Sequence, residues 1–294
     1  MSGLLLGILL GLAASACWGV ADFLARGVTR TYGDLETLFG VLVVGLIGVA
    51  LYTIPSGVHA VHAPDRLLLL VTALLAMFGY AALYRALKVG VLSVVSPIAA
   101  ANAIIPVVLA LIVLGERPLP WQYGGISCVM GGVMLLSLGK GVHLPDLSPA
   151  NPLANPRVQR GIAPALLCAV LFGMSLFGMK LSVDRLDPDS VALWVRVLGV
   201  MALLVWLLAA QRLTLPPRGC RMTLLAAGAL DAAAFVFFCQ ALTHTFLSLV
   251  APVSSTIPLF TVALARVFLR ERLGPVQQMG LALTVGGIAL VAIV

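Results

Sequence analysis

The sequence predicts an all-α integral membrane protein of ten transmembrane helices arranged as two inverted five-helix repeats, and three observations lead there. Hydrophobic residues supply 61% of the 294-residue chain and charged residues only 10%, whereas a soluble domain needs roughly 25% charged residues to cover its surface. With a mean hydropathy of +1.11, most of the solvent this chain meets must be lipid. Apolar stretches of about 20 residues, enough to cross a hydrocarbon core, then recur along the whole length. Finally, the chain repeats itself.

The stretches fall near 4–25, 35–54, 67–85, 91–114, 122–139, 161–182, 190–209, 222–242, 247–269 and 275–294. The first lacks a charged leading region and a small-residue cleavage site, so it reads as a retained span. The runs are too long for barrel strands and show no period-two alternation, which disfavours a β-barrel. The longest connection, 140–160, holds Pro145, Pro149, Pro152 and Pro156. It divides the chain into a first repeat, 1–139, and a second, 161–294. The net charge of +7 sits mainly in short loops, a pattern that suits an anionic leaflet better than nucleic acid. No separate soluble domain is expected.

Shifting the chain by 155 lays residues 86–135 on 241–290 without a gap. Ala86-Leu87 meets Ala241-Leu242, Leu92-Ser93 meets Leu247-Ser248, and Pro97 meets Pro252. Glu116-Arg117 meets Glu271-Arg272; Pro120, Gln122 and Gly125 meet Pro275, Gln277 and Gly280; Gly131-Gly132 meets Gly286-Gly287. A shift of 154 lays Trp18-Gly19, Phe23 and Arg26 over Phe172-Gly173, Phe177 and Lys180. Leu and Ala coincidences are cheap in such a chain, but matches at Pro, Glu, Gln and paired Gly are not. Five spans per half is an odd number, so the second half enters the membrane from the opposite side. Inverted repeats of this kind serve alternating access around a midplane site.

Here the pattern resembles the drug/metabolite transporter superfamily, and within it the EamA-type ten-helix exporters. The residues that carry the resemblance run from Ala86 through Ser96-Pro97 to Gly115-Glu116-Arg117-Pro118, and again from Ala241 to Arg270-Glu271-Arg272-Leu273, each followed by a Gly-rich helix. The resemblance covers nearly the whole chain and implies a cavity lined by spans 1, 3, 4, 6, 8 and 9, with 5 and 10 peripheral. It implies a bacterial-type inner membrane, a small-molecule substrate, and both termini in the cytoplasm.

The motif residues themselves read mostly as scaffold. Glu116-Arg117 and Glu271-Arg272 lie at span ends, where they pair or snorkel and set helix depth. Pro97 and Pro252 fall five or six residues into matching spans; each kinks its helix, and each is a candidate hinge. Gly3, Gly7 and Gly11 form a small-residue packing stripe. The five Cys show neither disulfide nor metal spacing, and His59, His62 and His143 lie in loops. No metal and no cofactor are expected.

Polar residues inside spans are costly in lipid and mark a pathway. Asp231, mid-way along 222–242, must be protonated, paired or hydrated; it is either a structural acid or a coupling and substrate-amine site. Arg196 is its counter-charge or snorkels. Asp22 with Arg26, four residues on, reads as an interfacial pair. Trp18, Phe172, Tyr80, Tyr84 and Phe235 fall on spans that the resemblance assigns to a cavity, as does Phe238. Aromatics there are packing residues or ligand contacts. Asn102, Gln240, His244 and Ser254 to Thr256 complete the inventory, although hydroxyls can bond back to their own helix.

The expected function is a secondary transporter exporting small amphipathic metabolites, amino acids foremost, driven either by protons, with Asp231 as the coupling site, or by the substrate gradient; the protein would be a monomer or homodimer. A hydrophobic-cation or multidrug exporter is the alternative substrate class. An intramembrane enzyme is disfavoured because no Gly-x-Ser-x-Gly, His-Glu-x-x-His or paired-Asp motif occurs, and a mere scaffold has no need of Asp231. ATP drive is disfavoured because no phosphate-binding Gly-x-x-x-x-Gly-Lys loop occurs. Counting Lys and Arg by face gives four on the side of the termini and thirteen on the other, with Arg196 between. The positive-inside rule therefore places the termini outside, against the family expectation.

Overall fold

The computed structural model describes residues 3–55, 57, 63–89, 95, 98–137, 156–268 and 274–293, and structural statements refer to these. Among them the regular elements are all helical: α1 (Gly3–Tyr32), α2 (Asp34–Thr53), α3 (Ala63–Val89), α4 (Ile104–Ile112), α5 (Pro120–Ser137), α6 (Pro156–Val183), α7 (Pro188–Ala209), α8 (Arg221–His244), α9 (Leu247–Ser254), α10 (Ile257–Phe268) and α11 (Pro275–Ala292). Eight spans are long and apolar enough to cross a membrane, α9 and α10 together forming one, Leu247–Phe268. The shorter apolar segment Ile98–Ile112 and α5, whose first turn carries Trp121, Gln122 and Tyr123, bring the total to ten. Side chains such as Leu51, Leu67, Met222 and Val267 face outward and are more than half exposed, as lipid-facing residues must be.

Helix starts follow from sequence chemistry. Proline stands at the first position of α5, α6, α7 and α11, where its missing N–H costs nothing. Asp187 caps α7 by accepting from Ser190 N at 2.8 Å. The repeat shows in the caps as well. Gln122 Oε1 accepts from Leu119 N at 2.9 Å, and its counterpart Gln277 Oε1 accepts from Gly274 N at 3.2 Å. Gly33 joins α1 to α2 with φ +104, and a Cβ there would run into the Glu36 carboxylate. Only glycine suits that turn. It tucks Glu36 inward, where Arg212 pairs with it at 2.9 Å.

The helices group into two compact units, each drawn from both sequence halves: 1–77 with 178–245, and 78–177 with 246–294. In the first unit α8 packs on α1, α2 and α7. In the second, α5 lies against α11 and α4 against α9. The α5–α11 contact is antiparallel and backbone-close. A Cβ on Gly132 would stand 2.7 Å from Gly280 O, and one on Gly125 would stand 2.9 Å from Gly287 O. These are the glycines that the repeat pairs, and the close approach is the reason both copies keep them.

Three sequence expectations change. Glu116 neither pairs with Arg117 nor snorkels: it is 7% exposed and accepts from Leu247 N (2.8 Å), Ser248 N (2.9 Å) and Ser248 Oγ (2.5 Å). A carboxylate satisfies the first amides of α9, which has no cap of its own, and Arg117 stays exposed. Next, α1 continues to Tyr32, so Arg26 and Arg30 lie on the helix and not in a loop. Last, α6 begins at Pro156, inside the stretch expected to be loop. Glu271, Arg272, His59, His62, His143 and Pro97 lie outside the described residues.

Candidate functional site

Two segments lose helical regularity at repeat-equivalent points. In the first, Ala101–Ala103 forms a 3₁₀ turn ahead of α4. In the second, the helix stops at Ser254 and resumes at Ile257. Pro258 explains the second break, since it has no N–H for the preceding turn. Pro252 sits inside α9, two residues before its end. Discontinuous spans at matching positions of two halves are the strongest backbone pointer to a transporter's binding region. Asn102 lies in the first break, and its Oδ1 is buried without a hydrogen-bond partner. Ser254, Ser255 and Thr256 hydroxyls donate to Val250, Ala251 and Val253 carbonyls at 2.7–2.8 Å, so they are spent on their own helix. In the same unit the Tyr80 and Phe172 rings meet edge to face, centroids 4.7 Å apart. Gly173 lets α6 press on the Asn102 carbonyl, which a Cβ would approach to 2.7 Å. Tyr84 lies on α3, its side chain outside the described set.

The first unit holds the charged cluster. Asp231, on α8, is 7% exposed and Arg196, on α7, 6%. Arg196 is the counter-charge, with Nη1 2.9 Å from Asp231 Oδ2. The buried Arg196 Nε faces no acceptor. Trp18 Nε1 donates to Asp231 Oδ1 at 3.2 Å, and Trp18 packs on Phe238 at 5.7 Å between centroids. Phe235, one turn beyond Asp231, lies under the guanidinium, 4.3 Å from ring centroid to Cζ. Four sequence candidates thus converge, with Phe238 beside them.

Gln240 and His244 stand apart from that cluster. They line a separate cavity of about 570 Å³ together with Leu10, Gly48, Tyr52 and the Ala229–Ala233–Phe237 face of α8. Gln240 Nε2 donates to Asp189 Oδ1 at 2.9 Å, and His244 is exposed. Asp22 is exposed on α1. Sequence reasoning missed two residues. They are Asp189, in the first turn of α7, and Gly45, on α2. A methyl at Gly45 would lie 2.8 Å from Asp231 Oδ2, so its lack of a side chain gives the carboxylate room. No group of three or more metal-ligating side chains occurs among the described residues.

The fold and the repeat have counterparts in known proteins. A solved crystal structure superposes with a TM-score of 0.79 at 17% identity, covering 97% of this chain and 96% of that one; at that identity the likeness speaks to fold. An uncharacterized protein of Methanocaldococcus jannaschii is 29% identical over 128 residues, 44% of this chain and 93% of the relative, which makes it little longer than one repeat. The family model described as "EamA-like transporter family" matches twice, over residues 5–138 and 159–293. The chain belongs to the EamA-like transporter family, and is a multi-pass integral membrane transporter.

Proposed function

We propose that this protein is a secondary active transporter of a bacterial-type inner membrane that exports small amphipathic metabolites, amino acids foremost, by alternating access, with Asp231 as the proton-coupling carboxylate. One observation carries the reading: a buried Asp231–Arg196 pair, held by Trp18 and Phe235, between membrane helices. Ionised groups at such depth are expensive, and packing alone gives no reason to keep them. In an exporter Asp231 exchanges a proton for a substrate amine while Arg196 holds the site's charge balance. In the first unit Phe235 supplies apolar contact for the substrate, and Gln240 and His244 line a vestibule; Tyr80, Tyr84, Phe172 and Asn102 are substrate contacts proposed from the sequence alone. Pro252, and Pro97 in the other repeat, serve as hinges. The repeats are 1–139 and 161–294, joined by the 140–160 linker, in a monomer or homodimer that needs no cofactor.

Arg196 also bears on the runner-up substrate. A hydrophobic cation, like a substrate amine, has to take Asp231 from Arg196, which stands 2.9 Å away. The reading is tested by labelled amino-acid flux from proteoliposomes under imposed pH gradients. Asp231→Asn is expected to keep the fold and lose the pH dependence; pH dependence like that of the unaltered protein sinks the coupling role.

A further inference from the structure

The connection between α7 and α8, residues 210–222, holds Arg212, Arg218 and Arg221 and no acidic residue. The 155-residue shift lays it on 55–67, where a single Arg is balanced by a single Asp. Inverted repeats present these two connections to opposite leaflets, so the basic copy and the neutral copy meet different surfaces. The structure ties the basic copy to neighbouring helix ends at three points. Tyr32, the last residue of α1, donates its hydroxyl to Thr214 O, Cys220 Sγ stands 3.5 Å from Thr31 Oγ1, and Arg212 turns inward onto Glu36 at 2.9 Å. That pairing neutralises Arg212. Arg218 and Arg221 are exposed, and neither pairs with a carboxylate among the described residues. Arg221 folds back so that its Nε donates to Pro216 O at 3.3 Å, next to Leu215. Leu215 is 86% exposed and Met222 77%, and Leu213 is exposed as well.

We propose that this connection binds the headgroup of an anionic glycerophospholipid, with Arg218 and Arg221 on the phosphate and Leu213, Leu215 and Met222 in the acyl region beneath it. The inference is independent of the transport reading above. Large apolar side chains on a connection are poorly placed in water, and guanidiniums without partners are poorly placed in hydrocarbon. The boundary of a bilayer suits both. An anionic headgroup suits the arginines better than a zwitterionic one, whose own ammonium offsets the phosphate charge. A soluble phosphate would satisfy the arginines and leave the three apolar side chains uncovered. Because the connection is already tied down at three points, little conformational freedom is lost when a headgroup binds. Its arginines also belong to the thirteen basic residues of the face that the charge count makes cytoplasmic.

The test titrates the full-length protein, in neutral detergent micelles, with phosphatidylglycerol or phosphatidylcholine of the same acyl chains and counts bound lipid by native mass spectrometry. The unaltered protein is expected to prefer phosphatidylglycerol. Arg218→Gln with Arg221→Gln should weaken phosphatidylglycerol about thirtyfold, at about fivefold per arginine, and erase the preference. Arg160→Gln, at an exposed arginine of α6, should leave it intact. Leu213→Ser with Leu215→Ser should weaken both lipids, and glycerol phosphate in large excess should displace neither. Equal binding of the two lipids by the unaltered protein overturns the inference, and that result depends on no variant folding. A preference that survives in the double arginine variant overturns it too, as does one that Arg160→Gln lowers as much, since the charge would then act diffusely. Displacement by glycerol phosphate would assign the arginines to a soluble phosphate and overturn the lipid site.

Discussion

Removing Arg196 alone and removing the whole ion pair should have opposite consequences for stability. In Arg196→Met the Asp231 carboxylate keeps only the Trp18 N–H at 3.2 Å and loses the guanidinium at 2.9 Å. With both partners under 10% exposed, that leaves an uncompensated charge, and the loss is about 3–5 kcal/mol. Asp231→Asn should cost less, because its side-chain oxygen still accepts from Trp18 and Phe235 still faces the guanidinium, a contact worth about 2 kcal/mol when desolvated. The double variant Arg196→Met with Asp231→Leu removes both charges and fills the space. It should return to within about 1–2 kcal/mol of the unaltered protein, part of the difference being the unpaired Trp18 N–H. Reversible unfolding in lipid–detergent mixtures, run as a double-mutant cycle, measures all four states. Flux through the stable double variant should be lost. A double variant as unstable as Arg196→Met, or one that still transports, would refute the claim that this pair is kept for function and not for folding.

Three further outcomes follow. Glu116→Ala should destabilise the start of α9 by about 3 kcal/mol or more, since two buried amides and a hydroxyl lose a charged acceptor; Glu116→Gln should cost clearly less, and thermal unfolding compares them. Gly280→Ala should cost about 1–3 kcal/mol, because its methyl would stand 2.8 Å from Gly132 O, while Gly131→Ala and Gly286→Ala, which meet nothing within 4 Å, should not destabilise. Cysteine placed at Gly219 meets nothing within 4 Å. In a background without the native thiols it should resist an impermeant maleimide in intact cells and react in inverted vesicles, as the thirteen-to-four charge bias requires with the termini outside.

Much of the fold could be read from the chain because membrane helices announce themselves by length and composition, and because the duplication is ungapped where it matters. The Pro120–Gln122–Gly125 match to Pro275–Gln277–Gly280 marked the duplication, and the structure shows it to be one helix-start box and one close-packed glycine face, used twice. The ends of elements were harder. Glu116 read as an interfacial anchor, since nothing local reveals that α9, 131 residues away, lacks a cap. The extension of α1 to Tyr32 carries charged residues past the apolar stretch, which no hydropathy pattern marks. At the site, Asp231 and Arg196 stood out because charge in a span is rare, and pairing was one of the two alternatives left open for Arg196. The choice between those alternatives, the Trp18 donor and the clearance at Gly45 depend on helix rotation and packing. Gln240 looked equivalent to these residues by span, yet the far face of α8 carries it to Asp189 and a different cavity.

The most direct test of the account is net efflux of a labelled amino acid from proteoliposomes, measured for the unaltered protein and for Asp231→Asn across a series of imposed pH gradients. The account predicts efflux that rises with the proton gradient in the unaltered protein and gradient-independent, strongly reduced efflux in the variant. Equal gradient dependence in both, with Asp231→Asn folded, would contradict it.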